Sequence, residues 1–180
     1  MLLYANGDSH TAPDFGYVNI VAQEFNCDLI NQAQSGSSNT SILRRTREYL
    51  EHTIPDFIII GWSTWEREEW YHNDRYYTVT ASGTNTVPKE LEHKYKQWVI
   101  EQTSDRWSEK SVEWHEYLYS FHLELEQKNI RHLFFNCMYD FLRKKQTYNW
   151  NNAYVDPYDK DYSYYQYLKN KGLRPDEWYH

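Results

Sequence analysis

An α/β fold, with a parallel sheet held between two layers of helices, is predicted by three observations. Short apolar segments that read as strands alternate with segments of helical periodicity. One of them, Phe57-Ile58-Ile59-Ile60, is a continuous apolar run, as a strand buried on both faces requires. Three of the strand-like segments run into a glycine with a hydroxyl nearby: Gly7 with Ser9, Gly36 with Ser35 and Ser37, and Gly61 with Ser63.

Taken in order, Leu2 to Ala5 is the first strand. Pro13 to Phe25 follows as a helix, with apolar residues at Phe15, Val18, Ile20, Val21, Ala22 and Phe25 close to helical spacing. Cys27 to Asn31 is the second strand. The loop AQSGSSN leads to a helix capped by Asn39 or Thr40 and continuing through Ile42, Leu43, Thr46, Tyr49 and Leu50. Pro55-Asp56 opens the third strand, which is expected to stop at Gly61. From about 62 to 108 the pattern loosens into an aromatic-rich insertion with a short helix near Glu90 to Ile100. Ser111 to Lys128 resumes a helical stripe at Trp114, Tyr117, Leu118, Phe121 and Leu125, and Ile130 to Cys137 is the fourth strand of the sheet. A polar, Tyr-rich stretch follows, with a short helix before Lys171-Gly172. The 180 residues suit one domain, 1–180, folded as a three-layer α/β/α sandwich.

Composition narrows the partners. Against 26 acidic residues stand 19 basic ones, giving a formal charge of −7 without a Lys/Arg cluster, so nucleic acid is not an expected partner. The longest apolar run is too short for a bilayer, and the first residues lack a basic n-region and a long apolar h-region. The expectation is a cytoplasmic or otherwise soluble protein with no signal peptide and no membrane partner. Cys27 and Cys137 fall at opposite edges of the sheet and are expected to be free thiols. The 18 Tyr, 8 Trp and 7 Phe are too many for one core in so polar a chain, so rings must lie at the surface. Such rings suit interfaces and sugar faces, or reflect composition alone.

In a parallel sheet, ligands gather at the carboxyl ends of the strands. Those ends carry Gly7-Asp8-Ser9, Ser35-Gly36-Ser37-Ser38-Asn39, Gly61-Trp62-Ser63 and Asn136-Cys137. Glycine permits close backbone approach, and a serine with nearby N–H and O–H donors offers a nucleophile and a hole for an oxyanion. The charged stretch Trp65-Glu66-Arg67-Glu68-Glu69-Trp70 reads as a solvated, salt-bridged face that walls the site. Within it Arg67 is a candidate for binding a polar or anionic substrate group. Asp8 and Trp62, beside the glycines, are further candidate substrate contacts. His115 and His122 lie seven residues apart, a helix-face spacing, and no His-x-x-x-His pair accompanies them. No metal and no cofactor are expected.

In this order, GDS at 7–9, the loop QSGSSN, Gly61-Trp62-Ser63 after the third strand and a final histidine, the chain resembles the SGNH (GDSL-like) hydrolases, small serine esterases with a flavodoxin-like sheet. The resemblance implies that Ser9 is nucleophile and oxyanion donor and that Gly36 lends its amide. It also implies that Ser63 stands where the family has asparagine. A hydroxyl reaches less far than an amide, so the hole is expected to be either weaker or completed by another group. The family's Asp-x-x-His corresponds to Glu177-Trp178-Tyr179-His180, with His180 as base and Glu177, or its neighbour Asp176, orienting it. His10, next to Ser9, should point away from the Ser9 hydroxyl if that segment is extended. A Cβ at Gly36 is expected to crowd the substrate or twist the loop, lowering turnover while leaving the melting temperature nearly unchanged. Family members usually continue past this histidine through a turn into a closing helix, so the expectation is either that a closing element follows residue 180 or that the site is degenerate.

The implied activity is hydrolysis of a small-molecule or carbohydrate ester, for example an O-acetylated sugar. Two alternatives stay open: a catalytically degenerate binding or assembly protein on the same fold, and a nucleotide-binding domain for which SGSSN is the only candidate phosphate loop.

Overall fold

The computed structural model describes residues 1–14, 16–82, 87–142 and 147–173. Strands β1 (Leu2–Asn6), β2 (Asp28–Asn31), β3 (Phe57–Trp62) and β6 (His132–Asn136) form one parallel sheet in the order β2-β1-β3-β6. Helix α1 (Tyr17–Glu24) joins β1 to β2, and α2 (Asn39–Leu50) joins β2 to β3. Side-chain alternation along the strands sorts the core into two layers. Tyr4, Ile58, Ile60, Trp62 and Phe134 pack with Ile42 of α2 and with Leu118, Phe121 and Leu125 of α4 (Ser104–Gln127). Leu3, Ile59 and Phe135 face the opposite way, against Ala22 of α1 and Tyr164 of α5 (Tyr164–Asn170). This is the predicted three-layer sandwich. Each large side chain so buried contributes roughly 2–3 kcal/mol of transfer free energy. Among the described residues, no helix is long and apolar enough to cross a membrane.

Several boundaries differ from those the sequence predicts. Helix α1 starts at Tyr17 instead of Pro13, because the Gly16 amide closes a turn onto the Pro13 carbonyl. Of its expected stripe, Val18 and Ala22 are buried, Ile20 and Phe25 are exposed, and Phe15 lies outside the described residues. The cap of α2 is Ser38, whose Oγ accepts from the Ser41 amide at 3.2 Å, instead of Asn39 or Thr40. Strand β3 passes through Gly61 to Trp62, and α4 starts at Ser104, capped by Thr103.

The expected insertion is a hairpin of β4 (Glu68–His72) and β5 (Arg75–Val79), followed by α3 (Glu92–Ile100). Its turn residues Asn73 and Asp74 both have positive φ, 47° and 57°, as the tight turns matching strand twist require. The charged cluster is not the solvated face expected. Trp65 and Trp70 are buried, Glu69 meets Arg44 of α2 at 2.8 Å, and Glu68 meets the buried Lys110 of α4 at 2.6 Å. These pairs pin the hairpin onto two helices.

His115 and His122 share the inner face of α4, both buried. The His132 Nδ1 lies 2.9 Å from the Ile130 carbonyl and so carries the proton, which leaves His132 Nε2 to accept from His122 Nδ1 at 2.8 Å. His115 Nε2 lies 2.9 Å from the Tyr158 hydroxyl. Burial lowers the pKa of His115 from 6.5 to about 4. Burial also lowers those of His122 and His132, against the opposing pull of Glu126. The unfolded chain therefore takes up these protons first. Their contribution to stability is complete above about pH 6.5 and is withdrawn as pH falls below it, for His115 down to about pH 4, each tenfold loss of proton affinity on folding being worth about 1.4 kcal/mol. Urea midpoints measured from pH 7.5 down to 5 should fall steadily; a flat profile would contradict the buried neutral histidines.

Candidate active site

The carboxyl ends of β1 and β3 adjoin where the chain leaves β1 for one face of the sheet and β2 for the other, the crevice in which open α/β sheets bind ligands. The first loop is built locally. Asn6 Oδ1 accepts from the Gly7 amide at 2.8 Å, and Asn6 Nδ2 is held by Tyr4, Ile42 and Thr46. The Asp8 carbonyl accepts from the amides of Thr11 and Ala12, and Asp8 Oδ1 from the His10 amide. Residues 8–12 thus form a closed turn, not the extended segment assumed for His10. Gly7 and Gly61 admit the Thr11 side chain beneath this turn: a Cβ at Gly61 would lie 2.8 Å from Thr11 Oγ1 and 2.7 Å from Phe135 Cζ, and one at Gly7 would clash with Thr11 Oγ1.

Ser9 lies half-buried in this turn. Neither its hydroxyl nor its amide has a hydrogen-bond partner among the described residues, and the same holds for the Gly36 amide. The second loop is tied to the first: Gln34 N–H donates to the Gly7 carbonyl at 3.2 Å, and Arg45 Nη2 bridges Ser37 Oγ and Asn6 Oδ1. Gly36 has φ +80° in the turn closed by the Ser37 amide on the Gln34 carbonyl, a conformation that favours glycine. A Cβ there meets nothing within 4 Å. The expected sparing of stability is corrected: alanine at this position strains the backbone, so it is no clean probe of an oxyanion hole.

Ser63 is buried after β3, and Asn39 fixes it. The Ser63 amide donates to Asn39 Oδ1 at 2.7 Å, and Asn39 Nδ2 donates to the Ser63 carbonyl at 3.2 Å. Arg67 joins all three loops, with Nη1 2.9 Å from Ser63 Oγ, 3.5 Å from the Ser37 carbonyl and 3.5 Å from Asp8 Oδ2. Two expected substrate contacts are corrected. Trp62 is wholly buried, edge-on to Phe121 and Phe134, because strand alternation turns it into the α2/α4 layer. Asp8 is also wholly buried: Oδ1 is held by the His10 ring and amide, while Oδ2 makes no hydrogen bond among the described residues and is in ion-pair range of Arg67 Nη1 at 3.5 Å.

Burial alone would raise the Asp8 carboxyl. The His10 ring, 2.8 Å from Oδ1, the His10 amide and the Arg67 charge outweigh it and hold the group below the usual carboxylate range. The buried Cys137 thiol lies beside this carboxylate and is pushed well up, so it stays protonated. Cys27 and Cys137 are both free thiols, as expected. Asp8, His10 and Cys137 bring one potential ligand atom each within 4.8 Å of one another. The guanidinium already beside Asp8 competes with a metal ion for that carboxylate. The arrangement reads as a hydrogen-bonded support for the Ser9 turn.

Asp176, Glu177 and His180 lie outside the described residues. Sequence reasoning did not single out Asn6, Thr11 or Arg45 as builders of the site, and it placed Asn39 on the rim without its bond to Ser63. An asparagine one place past a run of serines carries no signal until β3 is set beside it.

No protein-family model and no curated protein matches the chain. Among solved structures it is similar to the crystal structure of an acetyl xylan esterase, AlAXEase, at 14% identity over 97% of this chain and 85% of that one, with a TM-score of 0.45.

Proposed function

We propose that the protein is a serine esterase of the SGNH type acting on small acyl esters, with O-acylated carbohydrate as the substrate class. One observation carries this reading: at the crevice between β1 and β3, the Ser9 hydroxyl and the amides of Ser9 and Gly36 are unspent among the described residues, on loops cross-tied by Arg45 and Arg67. In the proposed reaction His180, oriented by Glu177 or Asp176, takes the Ser9 proton as Oγ attacks the acyl carbonyl carbon. The carbonyl oxygen becomes an oxyanion held by the two amides and a third donor near Ser63. His180 then returns the proton to the leaving alcohol. Water, deprotonated in the same way, releases the acid and restores Ser9.

A fluorophosphonate probe should add to Ser9, and peptide mass spectrometry should find the adduct there. An unlabelled protein, or label on another residue, would leave the fold as that of a binding or assembly protein.

A further inference from the structure

We infer that the Arg67 guanidinium is the third donor of the oxyanion hole, in the place where an asparagine amide would be expected after β3. The inference rests on the reading of Ser9 as nucleophile.

Three observations point to it. The side-chain amide that meets Ser63, that of Asn39, has both its polar atoms committed to the Ser63 backbone, so it has no role left towards a substrate. The Ser63 hydroxyl accepts from Arg67 Nη1 at 2.9 Å and is itself buried, with only a short reach. Arg67, by contrast, spends only Nη1 on the protein; Nε and Nη2 have no hydrogen-bond partner among the described residues.

The side chain is 22% exposed, mostly sunk among the three loops yet not sealed from solvent. A fixed donor in such a partly dry place stabilises developing charge more than one in bulk water does. Asp8 Oδ2, 3.5 Å away, balances the cation in the resting protein. A hydroxyl could not replace an amide here alone; a hydroxyl backed by a guanidinium can, because the cation supplies charge as well as N–H groups.

The test compares Arg67→Lys with Ser63→Ala in hydrolysis of p-nitrophenyl acetate, with Ser9 labelling and thermal melting as controls. Lysine keeps a positive charge beside Asp8 but loses the planar fork. It should lower kcat by about 10²-fold with KM little changed, as loss of one oxyanion donor does. Ser63→Ala should cost no more than about tenfold, since Arg67 remains. A change confined to KM in Arg67→Lys, or a larger loss of kcat in Ser63→Ala than in Arg67→Lys, overturns the inference. If Arg67→Lys does not fold, Ser63→Ala decides alone: a loss of about 10² or more would make the hydroxyl the donor. Absence of a Ser9 adduct in the unmodified protein overturns the nucleophile and this inference together; an adduct with unchanged Arg67→Lys kinetics overturns this inference only.

Discussion

His180→Ala is expected to lower ester hydrolysis by about 10³-fold or more, the size of effect that follows loss of a member of a Ser-His-acid site. Ser9 attacks at neutral pH only if a base accepts its proton, and two histidines compete for that part. His180 holds the place that the resemblance gives the base. His10 is adjacent to Ser9 and already carries a carboxylate partner, Asp8, at 2.8 Å. Yet that ring is 8% exposed and edge-on to Tyr164, in the layer between α1 and α5, and its Nδ1 and amide both serve to close the turn. His10→Ala should therefore act mainly through stability, while His180→Ala should act on the rate. Glu177→Gln should cost more activity than Asp176→Asn, because the three-residue step to His180 belongs to Glu177. Steady-state rates and melting curves on the four variants decide it. Activity that survives His180→Ala but not His10→Ala, with the latter still folded, would move the base to His10.

Asn39→Ala is expected to destabilise the protein by about 2–6 kcal/mol, since it leaves a buried N–H and a buried C=O of Ser63 without partners, each costing roughly 1–3 kcal/mol. For a chain of this length, at about 2–4 °C per kcal/mol, that corresponds to a fall in Tm of roughly 4–24 °C. Asn39→Asp keeps the acceptor for the Ser63 amide but sets a carboxylate oxygen against the Ser63 carbonyl, so it should not rescue stability. Both variants free the segment that carries Ser63 and Arg67, and kcat should fall with stability. A melt within about 2 °C of the unmodified protein's in Asn39→Ala would show that the two loops do not depend on this amide.

The layer order was legible because hydrophobic periodicity is a local property. Phe57 to Ile60 is apolar at every position because β3 is covered on both faces, and the α4 stripe at Leu118, Phe121 and Leu125 recurs because one face of that helix is covered. Element ends were less legible, because they depend on competition. Ser38 caps α2 since the Asn39 side chain, an equally good cap, is drawn away to Ser63. The charged hairpin was misread for a related reason: in sequence, a solvated charge run looks the same as one whose carboxylates meet Arg44 and Lys110 of distant helices.

By itself, then, the sequence determined the alternation of strands and helices, the glycine-marked strand ends and the position of Ser9 at the first of them, since each follows from residue type and spacing along the chain. The tertiary structure alone decided that Trp62 and Asp8 turn inward, that Asn39 holds Ser63, and that Arg67 joins three loops. Those outcomes depend on which strand lies beside which, and only the assembled sheet brings residues 8, 37, 39, 63 and 67 within reach of one another's hydrogen bonds and ion pairs.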